Sequence, residues 1–211
     1  MTPLAQAYEN KAKTIIKALE RGNMEGTYFS TKEEAKAYAL QLIPDGSVIS
    51  WGGSMTVDTL GIKESLRNRE VTCLDREKAT SLEETKEIYR RAFGADYFLM
   101  SSNAITMDGK LINIDATGNR VAALIFGPEH VLVFVGMNKV VTDEREGISR
   151  VHNIASPPNV NRIGLKTPCS TTGFCHDCHS EGCICCNTVI TRHSRQKGRI
   201  QVLLIGESLG F

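Results

Sequence analysis

Apolar and small residues recur at Leu4, Ala7, Ala12, Ile15, Ile16 and Leu19. Spacings of three and four mark one face of a helix, which predicts a helix from Leu4 to Arg21 with Gly22 as its stop. Ser30 with Glu33, or Thr31 with Glu34, fits a capping box. The helix it opens would turn Ala35, Tyr38, Ala39 and Leu42 inward and end at Pro44-Asp45-Gly46. The period then shifts. Val48–Trp51 is a short apolar run broken by Gly52-Gly53-Ser54, and a helix is expected from Thr56 to about Arg69, with Val71–Leu74 as the next strand. Ser81-x-x-Glu84 opens another helix that stops at Gly94, and Tyr97–Ser101 follows as strand.

Asp108-Gly109 lies between two β-prone runs, the later one Leu111–Asp115, and predicts a hairpin. Ala116–Ala123 reads as a short helix, and His130–Val135 as a central, strongly apolar strand. Asp143–Ala155 reads as a helix stopped by Pro157-Pro158, and Arg199–Ile205 as the last strand. Alternating strands and helices predict an α/β fold: a mostly parallel open sheet flanked by helices. One domain is expected over 1–211, with an N-terminal helical segment at 1–43 and a cysteine-rich, metal-binding insertion at 167–188.

That insertion changes the picture most. Six of the seven cysteines fall between Cys169 and Cys186, with His176 and His179 among them. Thiolates are soft ligands suited to zinc, copper(I) and iron–sulfur clusters. One turn at Cys175-x2-Cys178 can aim two sulfurs at a metal, and Cys169 with one of Cys183, Cys185 and Cys186 would complete four. Disulfides are the alternative, and they need an oxidising compartment. The first twenty residues are charged throughout and carry no apolar export signal, so a cytosolic (cytoplasmic) protein is expected. Cys73 reads as a small buried hydrophobe, and His152, beside Ile148 and Val151, as a packing residue.

A net charge of +1 offers no electrostatic case for nucleic acid or an anionic membrane, and the apolar runs are strand-sized, too short to span a bilayer. Candidate chemistry sits where strands end. Gly52, Gly53, Ser54 and Thr56 offer backbone N–H groups and hydroxyls to an anion, although a turn needing glycine has the same sequence. Asp115 can act as a general acid or base, and Arg120 can grip a carboxylate or phosphate; Asn103, Gly118 and Asn119 stand near them in sequence. Asn138-Lys139 follows the central strand and adds an ammonium group. All three segments end apolar strands, so they can converge on one edge of the sheet.

Four stretches carry a resemblance. They are Trp51–Gly61 (WGGSMTVDTLG), Asn103–Gly109 (NAITMDG), Asn113–Ala123 (NIDATGNRVAA), and Ile125-Phe-Gly-Pro128 running on to Gly136-Met-Asn-Lys139. With these the chain resembles the LUD-domain (lactate utilisation) family. The resemblance implies a fold like that of CoA-transferases, ribose-5-phosphate isomerase and glucosamine-6-phosphate deaminase. It further implies an accessory role in oxidising lactate or similar organic acids beside iron–sulfur subunits. Its short members suggest Cys169, Cys175, Cys178 and Cys185 as ligands of a [4Fe–4S] cluster or zinc, while Cys183 and Cys186 depart from the pattern. The expected partners are a small anionic metabolite and those iron–sulfur subunits; a homo-oligomer is left open. Two other readings stand beside this one: an independent enzyme on a phosphorylated or CoA-linked metabolite with a structural zinc, and a metal-stapled partner-binding protein.

Overall fold

The structure is a computed structural model and describes residues 2–211. Helix α1 (Pro3–Arg21) leads into strand β1 (Glu25–Phe29), α2 (Lys32–Leu42), β2 (Val48–Trp51), α3 (Met55–Thr59) and α4 (Ile62–Arg67). Next come β3 (Thr72–Leu74), α5 (Leu82–Arg91), β4 (Tyr97–Met100), β5 (Ala104–Thr106), β6 (Leu111–Asp115) and α6 (Asn119–Ile125). The chain continues through β7 (His130–Gly136), β8 (Val140–Val141), α7 (Glu144–Arg150), a π-helical turn (Val151–Ala155) and α8 (Ser156–Ile163). It ends with α9 (Pro168–Thr172), β9 (Asn187–Thr191) and β10 (Ile200–Ile205).

Six strands form a parallel sheet in the order β1-β10-β7-β4-β2-β3. The fold is therefore α/β with a mostly parallel central sheet flanked by helices. Both faces of the sheet are covered, so its central strands are apolar on both sides. On β7, Val131, Val133 and Val135 pack with Ile15 and Leu19 of α1, while Leu132 and Phe134 pack on the other face with Ala35 and Ala39 of α2 and Ile62 and Leu66 of α4. Burying an aliphatic or aromatic side chain of this size contributes about 1.5–3 kcal/mol. A second sheet, β8-β5-β6-β9, stands beside the first and covers Val151 and Ala155 of the π-helical turn with Ile112 and Ile114.

Local chemistry sets the element ends. Thr31 Oγ1 accepts from Glu34 N at 3.3 Å, and the Glu34 carboxylate accepts from Thr31 N at 3.4 Å, completing the capping box at α2. The expected helix over 56–69 is two helices, because Gly61 takes φ +61° and breaks it there. The segment 1–43 is not wholly helical: it also contains β1, paired parallel to β10. The helix expected at Ala116–Ala123 starts at Asn119, after Gly118 turns the chain at φ +86°.

Pro157-Pro158 do not stop the helix begun at Glu144. Pro157 stands at the first positions of α8, which follows the widened turn without a break. A proline is tolerated in a first helical turn, where its missing N–H costs no regular bond. No helix among the described residues is long and apolar enough to cross a membrane.

Candidate functional site

Neighbouring strands β7, β4 and β2 run parallel, so the segments that follow them emerge at one edge of the sheet. There they line a polar pocket of about 250 Å³, closed on the far side by the start of α6 and by the π-helical turn with α8. Gly53, Ser54, Thr56, Asn103, Asp115, Asn119, Arg120 and Lys139 all reach its wall. Gly52, Gly118 and Asn138 do not line it, and each has a structural task nearby. A Cβ on Gly52 would meet Arg120 Cδ at 3.0 Å, so glycine admits the arginine stem. Gly118 supplies the left-handed turn before α6. Asn138 holds the C-terminal tail: its Oδ1 accepts from Leu209 N at 3.1 Å and its Nδ2 donates to Gly210 O at 3.4 Å.

Arg120 is buried, and its guanidinium is saturated. Nε pairs with Asp115 Oδ2 at 3.1 Å; one terminal nitrogen donates to Ser101 O at 3.2 Å and to Asn113 Oδ1. The other donates to Asn103 Oδ1 at 3.0 Å and Ile114 O at 2.9 Å. All five of its donors are engaged. Arg120 therefore organises the pocket wall and has no free fork for a ligand. Asp115 is likewise occupied, accepting from Gly118 N at 2.8 Å through its other oxygen. Arg150, absent from the sequence reading, ties two strand ends together by donating to Asn103 O at 2.8 Å and Asn138 O at 3.2 Å.

Lys139 differs from these. Its buried Nζ donates to Thr56 Oγ1 at 2.8 Å and Ser101 Oγ at 2.9 Å. Burial, and then the positive charges of Arg150 and Arg120, bring its pKa down to about 7. Arg76 and Arg162 also line the pocket; among the described residues the one acidic side chain lining it is the already paired Asp115. The cavity is cationic. Arg76 comes from the turn after β3 and Arg162 from α8, segments with no local signature of a binding site.

A second cavity, of about 340 Å³, is lined by Cys169, Cys175, Cys178, Cys183, Cys185 and Cys186, with His152, His176 and His179. All seven cysteines are free thiols, Cys73 lying apart in β3, half-buried against the core. Among the described residues no three Cys, His, Asp or Glu side chains converge on a point as a bound ion requires. The sulfurs make other contacts: Cys169 with Thr167 Oγ1 at 3.1 Å, Cys178 with Ser180 Oγ at 3.3 Å, and Cys185 with Ser156 Oγ at 3.3 Å. Cys175 Sγ lies 3.0 Å from His152 Nδ1, so His152 faces the thiols and is not the packing residue its neighbours suggest. Burial pushes the Cys185 thiol up to about 11.

The two cavities adjoin. Ser156 and Ile184 line both, and the π-helical turn partitions them: Val151 and Ala155 face the polar pocket, His152 the thiols. Widened helical turns of this kind are rare and gather at functional sites.

Among curated proteins none matches the chain. A DUF162 family protein from Deinococcus radiodurans shares the fold, with a TM-score of 0.55 and 15% identity over 94% of this chain and 98% of that one. The malonate decarboxylase α subunit from Acinetobacter baumannii aligns with a TM-score of 0.37 and 16% identity, over 68% of this chain and 34% of its own. The LUD domain profile matches residues 12–205. With nearly its whole length covered by that profile, this chain belongs to the LUD domain family.

Proposed function

We propose that this chain is a cytosolic accessory component of lactate-like organic-acid oxidation, binding a small anion beside a cysteine-held metal centre. The observation that carries the reading is the shared wall: Ser156 and Ile184 belong to both cavities. A redox centre close to a bound substrate can exchange electrons with it, and here the soft donors and the cationic pocket share a wall.

The donor set bears on two candidate groups. Zinc draws four ligands to about 2.3 Å from one point. Thiols spread around a chamber of about 340 Å³ suit a [4Fe–4S] group, whose cysteines attach to separate irons. Cys169, Cys175, Cys178 and Cys185 would hold it, and it would supply one-electron transfer. In the neighbouring pocket Arg76, Arg162 and Lys139 attract the anion, while Arg120 and Asp115 keep the wall in place.

The experiment is anaerobic purification with metal and sulfide analysis. Brown protein whose broad visible absorption is bleached by dithionite, and lost in Cys175→Ser, supports the reading. Colourless protein with stoichiometric zinc replaces it with the structural-zinc alternative. Thermal shift with L-lactate and pyruvate tests the pocket. Arg76 and Arg162 would serve a phosphate equally well, so tighter binding of sugar phosphates would favour the independent enzyme.

A further inference from the structure

Lys139 enters the polar pocket from the turn after β7, and among the described residues its buried nitrogen is paired with no carboxylate. Its polar partners are the hydroxyls of Thr56 and Ser101, at 2.8 and 2.9 Å. The cations that act on it most are the guanidinium groups of Arg150 and Arg120, and the tail residue Phe211 lines the same pocket. Asp115, the carboxylate in the wall, is taken up by Arg120 and by the Gly118 N–H.

A buried ammonium among like charges is costly. Two changes relieve that cost: an anion enters the pocket, or the ammonium gives up its proton. A bound anion by itself favours the ammonium, so the neutral amine requires the anion to be neutralised by Arg76 and Arg162 while burial and the neighbouring guanidinium groups keep Lys139 deprotonated. Desolvation next to another cation is one of the ways a lysine becomes a nucleophile. An amine reacts with a carbonyl carbon. Arg76 and Arg162 at the same wall favour a ligand bearing a carboxylate or phosphate, and a cavity of about 250 Å³ limits it to a few heavy atoms beyond that group.

We propose that Lys139 forms an imine with a small aldehyde or ketone that carries an anionic group and is held in the polar pocket. The nitrogen lone pair attacks the carbonyl carbon, and the C=O π pair moves to oxygen, which takes a proton to give a carbinolamine. Loss of water then leaves a C=N bond to Lys139, with the Thr56 and Ser101 hydroxyls placed to relay the proton. One C=O is exchanged for one C=N and one water, and no electron is gained or lost. The proposal rests on the anion-pocket reading and is independent of the thiol cavity.

The test is reductive trapping of the full chain with cyanoborohydride and either pyruvate or dihydroxyacetone phosphate, followed by peptide mapping. The expected result is a reduced adduct at Lys139, forming at least about tenfold faster than at exposed lysines, whose amines are almost wholly protonated near neutral pH. Lys139→Arg, which keeps the charge and removes the nucleophile, is expected to abolish it. The better-trapped probe tells whether the pocket takes a carboxylate or a phosphate. Thermal stabilisation by either probe without an adduct overturns the imine and leaves the anion pocket standing; neither stabilisation nor adduct overturns both. Labelling spread over exposed lysines, or unchanged in Lys139→Arg, overturns the assignment. Mapping of the unmodified sequence's own adduct decides the site even where Lys139→Arg fails to fold.

Discussion

The polar pocket and the thiol cavity are neighbours built on opposite plans. The pocket stands on strand ends, and its charged groups are locked to the chain itself: Arg120 by five donors, Arg150 by two carbonyls, Lys139 by two hydroxyls. The thiol cavity is framed by the segment from Gly173 to Cys186, which contains no strand or helix. Its ties are few, among them Cys175 N to Asn153 Oδ1 at 3.2 Å and the Thr172 hydroxyl with His176 Nε2 at 2.7 Å. Thiols are weak hydrogen-bonding groups. The pocket is thus pre-organised by the protein, whereas the thiol segment is held by few bonds of its own.

That contrast can be broken most severely at Arg120. Arg120→Met is expected to lose about 3–5 kcal/mol of stability, because Asp115 and four other acceptors are left buried without their donor. Chemical denaturation measures it, and a loss below 1 kcal/mol would show that the wall is not held this way.

Next is pH. Lys139 has its pKa lowered from the ordinary lysine value of 10.5 to about 7 by burial and then by Arg150 and Arg120. Between those values the unfolded chain binds the proton and the folded chain does not. Stability therefore rises as pH goes up through that window, and the gain is lost as pH falls towards 7. The effect is of the order of a few kcal/mol at most, and Lys139→Met should flatten it in denaturation curves taken across the window.

Smaller effects sharpen the contrast. Reconstitution with iron and sulfide is expected to slow proteolysis within 173–186 several-fold while leaving lactate binding in the pocket unchanged; equal protection everywhere would erase the distinction. Gly53→Ala pushes a methyl group against the Arg76 guanidinium. A flexible side chain can yield, so stability should change by under about 1 kcal/mol while anion affinity drops a few-fold, as titration calorimetry would read.

The strands at the centre of the sheet were legible because both of their faces are buried, and the residues of β7 and β10 say so without reference to neighbours. The convergence of three strand ends was legible for the same reason: parallel strands share a carboxyl edge. β1 was not, since Glu25-Gly26-Thr27 at a partly exposed edge carries little apolar signal. β9 was not legible either, since Asn187–Thr191 is short and at most half-buried. Pro157-Pro158 misled because proline marks a stop or a first turn with the same letter.

The site was legible as a list of residue types and illegible as a division of labour. Arg120 and Lys139 are both cations in motifs near strand ends, yet one has every donor spent and the other, among the described residues, is paired with no acidic side chain. Only packing tells them apart. Arg76 and Arg162 arrive from segments whose local sequence has no reason to reveal a ligand, and His152 reaches the thiols through a widened turn that no periodicity announces.

The π-helical turn has one more consequence. It holds one residue more than an ordinary helical turn, and each residue of a helix advances the chain by about 100°. Deleting any one residue from Val151–Ala155 would restore regular winding and rotate the positions around it, pointing His152 and Ser156 away from the sulfurs they now touch. The partition can accept changes of side chain at many places, but its length is fixed.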